Sequence, residues 1–105
     1  MKKQNTSLDR LKMKIYQSRL FERKVKKITK AEKEALDREV RNIAENPNIG
    51  EEKKGDLKGV FVHKFKLKTN SYLLAYRKAD KYLELVMIGT HENYYRDLKS
   101  YLKSK

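Results

Sequence analysis

The fold is decided at residues 60–89, "VFVHKFKLKTNSYLLAYRKADKYLELVMIG", where apolar residues recur with the period of a strand. In residues 60–69, Phe61, His63, Phe65 and Leu67 fall on one side and Val60, Val62, Lys64, Lys66 and Lys68 on the other, because successive side chains of a strand point to opposite faces. Asn70-Ser71 is a turn signal, residues 72–78 ("YLLAYRK") a second strand, Ala79-Asp80 another turn, and residues 82–89 ("YLELVMIG") a third strand. Tyr72, Leu74 and Tyr76 share one side of the middle strand, opposite Leu73, Ala75 and Arg77. A strand apolar on both sides belongs in the centre of a sheet, and connections this short force antiparallel neighbours.

Toward the amino terminus the period changes. Residues 11–17 ("LKMKIYQ") alternate Leu11, Met13 and Ile15 against Lys12, Lys14 and Tyr16, a further strand. Phe21, Val25 and Ile28 then fall at i, i+4 and i+7, one apolar stripe of a short helix over residues 18–28. Thr29 to Glu32 ("TKAE") has the form of a capping box, which starts a second helix. Leu36, Val40 and Ile43 continue its stripe until Pro47 and Gly50, so it ends near Asn46. Residues 51–59 ("EEKKGDLKG") have the glycine and charge content of an exposed loop. At the other end, residues 91–103 place Tyr95, Leu98 and Leu102 at helical spacing. The expected architecture is α+β: a helical hairpin packed on one face of a small four-stranded, mainly antiparallel sheet, with a C-terminal helix. Residues 1–10 are polar and aperiodic, which predicts a flexible arm ahead of a single domain of residues 11–105.

The chain has 105 residues, enough for one modest core. It has no cysteine and two histidines, so neither a disulfide framework nor a thiolate or histidine-rich metal site is expected. No window approaches the ~18 apolar residues of a membrane span, which makes the cytoplasm the default location. With 27 basic against 14 acidic residues, the net charge is +13. That is the electrostatic signature of a polyanion partner, nucleic acid first, although lysine also serves simply to solubilise a surface.

The element order, "GDLKGVFVHKF" (55–65) leading into the second strand, "KFKLKTNSYLLAYRK" (64–78) across the central hairpin and "IGTHENYYRDLK" (88–99) together resemble the RelE/ParE superfamily of toxins from bacterial type II toxin–antitoxin systems. The resemblance runs over roughly residues 12 to 103. It implies one of two activities. RelE-like members cleave messenger RNA in the ribosomal A site without a metal, whereas ParE-like members act on DNA gyrase and lack the nuclease residues. Either branch implies a cognate antitoxin, expected to be an acidic, partly disordered chain whose helix lies in an apolar groove of a toxin–antitoxin hetero-oligomer.

RNA carries its own nucleophile, the 2′-hydroxyl. Cleavage therefore needs a base, cations for the phosphorane charge and an acid for the leaving oxygen, and no cofactor. Lys64 and Lys66 stand at i and i+2, roughly 6–7 Å apart on one strand face, and match the K-x-K strand of RelE-like nucleases; Lys68 continues the row. The same three lysines would also suit an ordinary solvated face. The ribonuclease branch commonly has an arginine directly after the tyrosine that opens the next strand, where this chain has Leu73. By parity Arg77 shares that face and is the candidate replacement.

His91 stands where several family nucleases carry a histidine followed four residues later by an aromatic ring, here Tyr95. Histidine's unperturbed pKa of ~6.5 suits it to proton transfer. A helix beginning at or just before His91 would put both side chains on one face, with His91 as general acid and Tyr95 orienting a phosphate or stacking on a base. Tyr94 is the substitute if the helix start slips. In the alternative, Thr90 caps the helix, His91 is incidental and the tyrosines pack on the sheet. Glu92 is a weaker candidate base, equally explained by the helix dipole. His63, beside Phe61 and Phe65, is expected on the covered side of the sheet.

Overall fold

The computed structural model describes residues 13–104. The expected arm, and Leu11 and Lys12 of the expected first strand, lie outside them. The order is β1 (Lys14–Gln17), α1 (Arg19–Val25), α2 (Lys30–Glu45), β2 (Glu51–Glu52), a 3₁₀ turn (Gly55–Leu57), β3 (Phe61–Leu67), β4 (Asn70–Ala79), β5 (Tyr82–Gly89) and α3 (Tyr94–Lys103). The strands form one sheet in the order β1-β5-β4-β3-β2. β3, β4 and β5 make the expected antiparallel meander with β4 at its centre, and β1 runs parallel to β5.

This topology dictates the helices' place. β1 lies at one edge and β2 at the other, so the chain between them must cross the sheet, and the α1–α2 hairpin is that crossing. Its stripe of Phe21, Leu36, Val40, Ile43 and Ala44 buries against Phe65, Leu67, Leu74, Tyr76, Leu83, Leu85 and Ile88. Each large apolar side chain so buried contributes about 1.5–3 kcal/mol. The capping box at Thr29 is formed in both directions: Glu32 N–H donates to Thr29 Oγ1 at 3.1 Å and Thr29 N–H to Glu32 Oε1 at 3.0 Å. The turn from β1 into α1 rests on Ser18, a residue without a sequence signal of its own. Its hydroxyl accepts from Phe21 N–H at 2.9 Å and donates to Val86 O at 2.6 Å, which ties the crossing's start to β5.

The opposite face is not left open. α3 lays Tyr94 and Leu98 over Val60, Val62, Leu73, Ala75, Val86 and Met87, with Leu20 and Leu57 at the margin. Leu73 and Ala75 thus face a second core while Leu74 and Tyr76 face the first, as the apolar character of both sides of β4 requires.

Three sequence expectations are corrected. The sheet has five strands rather than four, because Glu51–Glu52, taken as loop, pairs antiparallel with Phe61 and Val62. Two charged residues carry no strand period, yet charge is what an edge strand uses to discourage further pairing. The β3–β4 turn falls at Lys68-Thr69, not Asn70-Ser71, with Leu67 opposite Asn70 and Lys66 opposite Ser71. Lys68 takes the left-handed φ of 59° there, so it leaves the strand row that it was expected to continue. Core register overrides the better turn formers, since it keeps Phe65 and Leu67 in line with Tyr72 and Leu74. Lastly, α3 begins at Tyr94, not at Thr90 or His91.

The loop between α2 and β2 is anchored by Tyr76, whose buried hydroxyl accepts from Gly50 N–H at 2.9 Å and donates to Pro47 O at 2.7 Å. Burial raises the phenol's pKa above its ordinary value, against the pull of that Gly50 N–H. A Cβ on Gly50 would stand 2.8 Å from the Tyr76 hydroxyl and 3.1 Å from the Val62 carbonyl carbon. Gly50→Ala is therefore expected to destabilise the fold by about 1–3 kcal/mol, read as a lower urea midpoint; an unchanged midpoint would show that the loop yields freely.

Candidate active site

The α3 side of the sheet carries the candidate residues. Lys64 pairs with Leu73, which pairs with Gly89, and the next row has Lys66 opposite Ser71. Continued two residues past Gly89, that register brings position 91 level with Ser71, about 10 Å across two strand spacings from Lys66. His91 thus emerges at the end of the sheet that bears the two lysines. Lys64, Lys66 and His91 are all exposed, and none makes a side-chain hydrogen bond or ion pair with another described residue.

The route to that placement differs from the expected one. Residues 91–93 form a turn, closed by Tyr94 N–H donating to His91 O at 3.2 Å. Asn93 precedes α3 at a left-handed φ of 59° and gives it no side-chain cap; asparagine tolerates that conformation better than most residues. His91 and Tyr95 are therefore not successive turns of one helix face. Glu92 lies in the same turn, exposed and outside the helix, so the dipole explanation for it falls away.

Tyr94 is a core residue. It is 1% exposed, and its hydroxyl donates to Met87 O at 2.8 Å beside the Ala75 N–H, where the β4–β5 register slips. The extra residue in β5 opens the ladder there and the tyrosine fills the opening. Burial drives its pKa far above the ordinary phenol value, only partly offset by the Ala75 N–H. Tyr94 is thus no substitute for Tyr95 as a substrate contact. Tyr95 is half-buried, its ring meeting Tyr94 edge-on with centroids 5.4 Å apart.

Leu73 is 1% exposed in the second core, so the position of the missing arginine lies under α3 rather than open to an anion. Arg77 does not replace it. It stands four residues along β4, about 13 Å by strand rise, and both its Nε and one terminal nitrogen lie 3.1 Å from Glu84 Oε1. Arg77→Ala is expected to leave any RNA cleavage within about twofold of wild type and stability within about 1 kcal/mol; a tenfold loss of cleavage would return Arg77 to the site.

His63 lies on the hairpin side as expected, stacked on Phe65 with Nε2 2.9 Å from Glu39 Oε1. One group near the site had no sequence signal. Lys53, in the stretch taken as loop, holds its ammonium 5.2 Å from the centre of the Tyr95 ring. No helix among the described residues is long and apolar enough to cross a membrane.

The sequence family described as ParE-like toxin of type II bacterial toxin-antitoxin system matches residues 15–99. Among solved structures, the chain is similar to a chain of the intact E. coli RelBE toxin-antitoxin complex, with 20% identity and a TM-score of 0.60 over 74% of this chain and 95% of that one. It is similar also to the isolated E. coli RelE toxin, with 20% identity and a TM-score of 0.59 over 84% of this chain and 97% of that one. At these identities the likeness is one of fold. No curated protein sequence matches the chain.

Proposed function

The chain belongs to the ParE-like toxins of type II bacterial toxin–antitoxin systems, and from that membership we propose that it is a ribosome-dependent messenger RNA endoribonuclease that inhibits translation. The observation that carries the reading is the pair of exposed lysines, Lys64 and Lys66, without a carboxylate partner among the described residues, at the end of the sheet where an equally unengaged His91 emerges.

In this reading the substrate's 2′-hydroxyl attacks the adjacent phosphorus, and Glu92 is the carboxylate available to take its proton. Lys64 and Lys66 stabilise the charge on the pentacoordinate phosphate. His91 gives a proton to the departing 5′-oxygen, leaving a 2′,3′-cyclic phosphate, and the Tyr95 hydroxyl orients the scissile phosphate. No metal or cofactor is called for. A site this open, with few contacts for a base, depends on the ribosome to hold messenger RNA in place. An acidic antitoxin would meet the same lysines.

The test is primer extension on ribosomes programmed with messenger RNA. Changing both Lys64 and Lys66 to alanine is expected to lower cleavage about a hundredfold, and a loss under threefold would remove them from the site. The buried Leu73 favours one second reading, inhibition of DNA gyrase by a non-catalytic surface. It predicts that supercoiling is inhibited equally by wild type and by the double variant, with messenger RNA left intact.

A further inference from the structure

Tyr95 stands in the first turn of a helix whose N-cap residue makes no side-chain bond, yet its ring is bounded on two sides. The edge of Tyr94 closes one side, and the Lys53 ammonium sits over a face, 5.2 Å from the centroid. Lys53 comes from the far edge of the sheet. Its N–H donates to Val60 O at 2.9 Å and its ammonium donates to Glu51 Oε1 at 3.1 Å. An unconstrained lysine extends into water, so a tail folded back on a ring and retained by a carboxylate is a specific contact. Only 24% of this side chain is exposed, against 78% for Glu51. The Glu51 hydrogen bond first, and the Tyr95 contacts after burial's opposing effect, keep the amine more firmly protonated than an ordinary lysine.

We propose that Lys53 is a positioning residue for RNA cleavage: by clamping the Tyr95 ring against Tyr94 it aims the Tyr95 hydroxyl at the scissile phosphate. This rests on the nuclease reading above. Lys53 acts through Tyr95, not on the substrate, because its backbone is level with Val60, four residues and about 13 Å along β3 from Lys64, and its ammonium is committed to Glu51 and the ring.

A double-mutant cycle in single-turnover ribosome cleavage tests it, with Lys53→Met, Tyr95→Ala and both together, and Lys53→Arg as the conservative variant. Lys53→Met is expected to lower the cleavage rate about fivefold to tenfold, the rate equivalent of one cation–π contact, with the half-saturating ribosome concentration unchanged. Lys53→Arg should restore the rate, and Lys53→Met should cost nothing further once Tyr95 is alanine. Additive losses, a loss confined to ribosome affinity, or an unchanged rate would overturn the clamp while leaving the nuclease reading intact. A wild-type protein that cuts no RNA overturns both.

Discussion

Replacing His91 with alanine is expected to lower messenger RNA cleavage on ribosomes by about 10²–10⁴-fold, the usual contribution of a positioned general acid. The departing 5′-oxygen is a poor leaving group unless it is protonated as the bond breaks. Among the groups at this end of the sheet, His91 is the one suited to give up a proton near neutral pH. Because the side chain is exposed and bonded to no described residue, its removal should shift stability by no more than about 0.5 kcal/mol. A large loss of cleavage with an unchanged urea midpoint is therefore the expected pair of results. Cleavage within threefold of wild type would show that the acid comes from elsewhere, the ribosome included.

The second large effect concerns the tyrosine next to the candidate site. Tyr94→Ala should destabilise the protein by about 3–5 kcal/mol, a large part of the roughly 5–15 kcal/mol that holds a domain together. The ring fills the space above Gly89, whose Cβ position lies 3.4 Å from it, and joins Leu98 over the second core. The hydroxyl meets the Met87 carbonyl at the slipped register of β4 and β5. Tyr94→Phe keeps the ring and should cost about 1–3 kcal/mol for the backbone groups left without a partner. Both values come from urea unfolding. If Tyr94→Phe instead removed cleavage at unchanged stability, the hydroxyl would be a substrate contact and its burial a property of the free protein alone.

Where one face of an element is buried, its residues are legible in advance. The period-two runs of β3, β4 and β5, the stripes of α1 and α2 and the capping box at Thr29 all report burial, and all were readable from residue order. Glu51 and Glu52 pair through their backbones at an exposed edge, and backbone pairing leaves no mark on side-chain chemistry. Lys53 escaped notice for the same reason, as its approach to Tyr95 depends on that edge strand. The start of α3 was misplaced because Thr90 is a good capping residue by type, whereas the bulge in β5 and the burial of Tyr94 decide where the helix begins. Parity put Arg77 on the right face but was blind to its distance from Lys64 and to Glu84 directly opposite.

The most direct measurement is the chemistry of RNA ends after wild-type protein and His91→Ala are incubated separately with ribosomes stalled over a defined codon. The account predicts a new messenger RNA 3′ end bearing a 2′,3′-cyclic phosphate with the wild-type protein and almost none with His91→Ala. Equal cutting by the two proteins, or intact messenger RNA with wild type in a preparation that inhibits gyrase supercoiling, would contradict it.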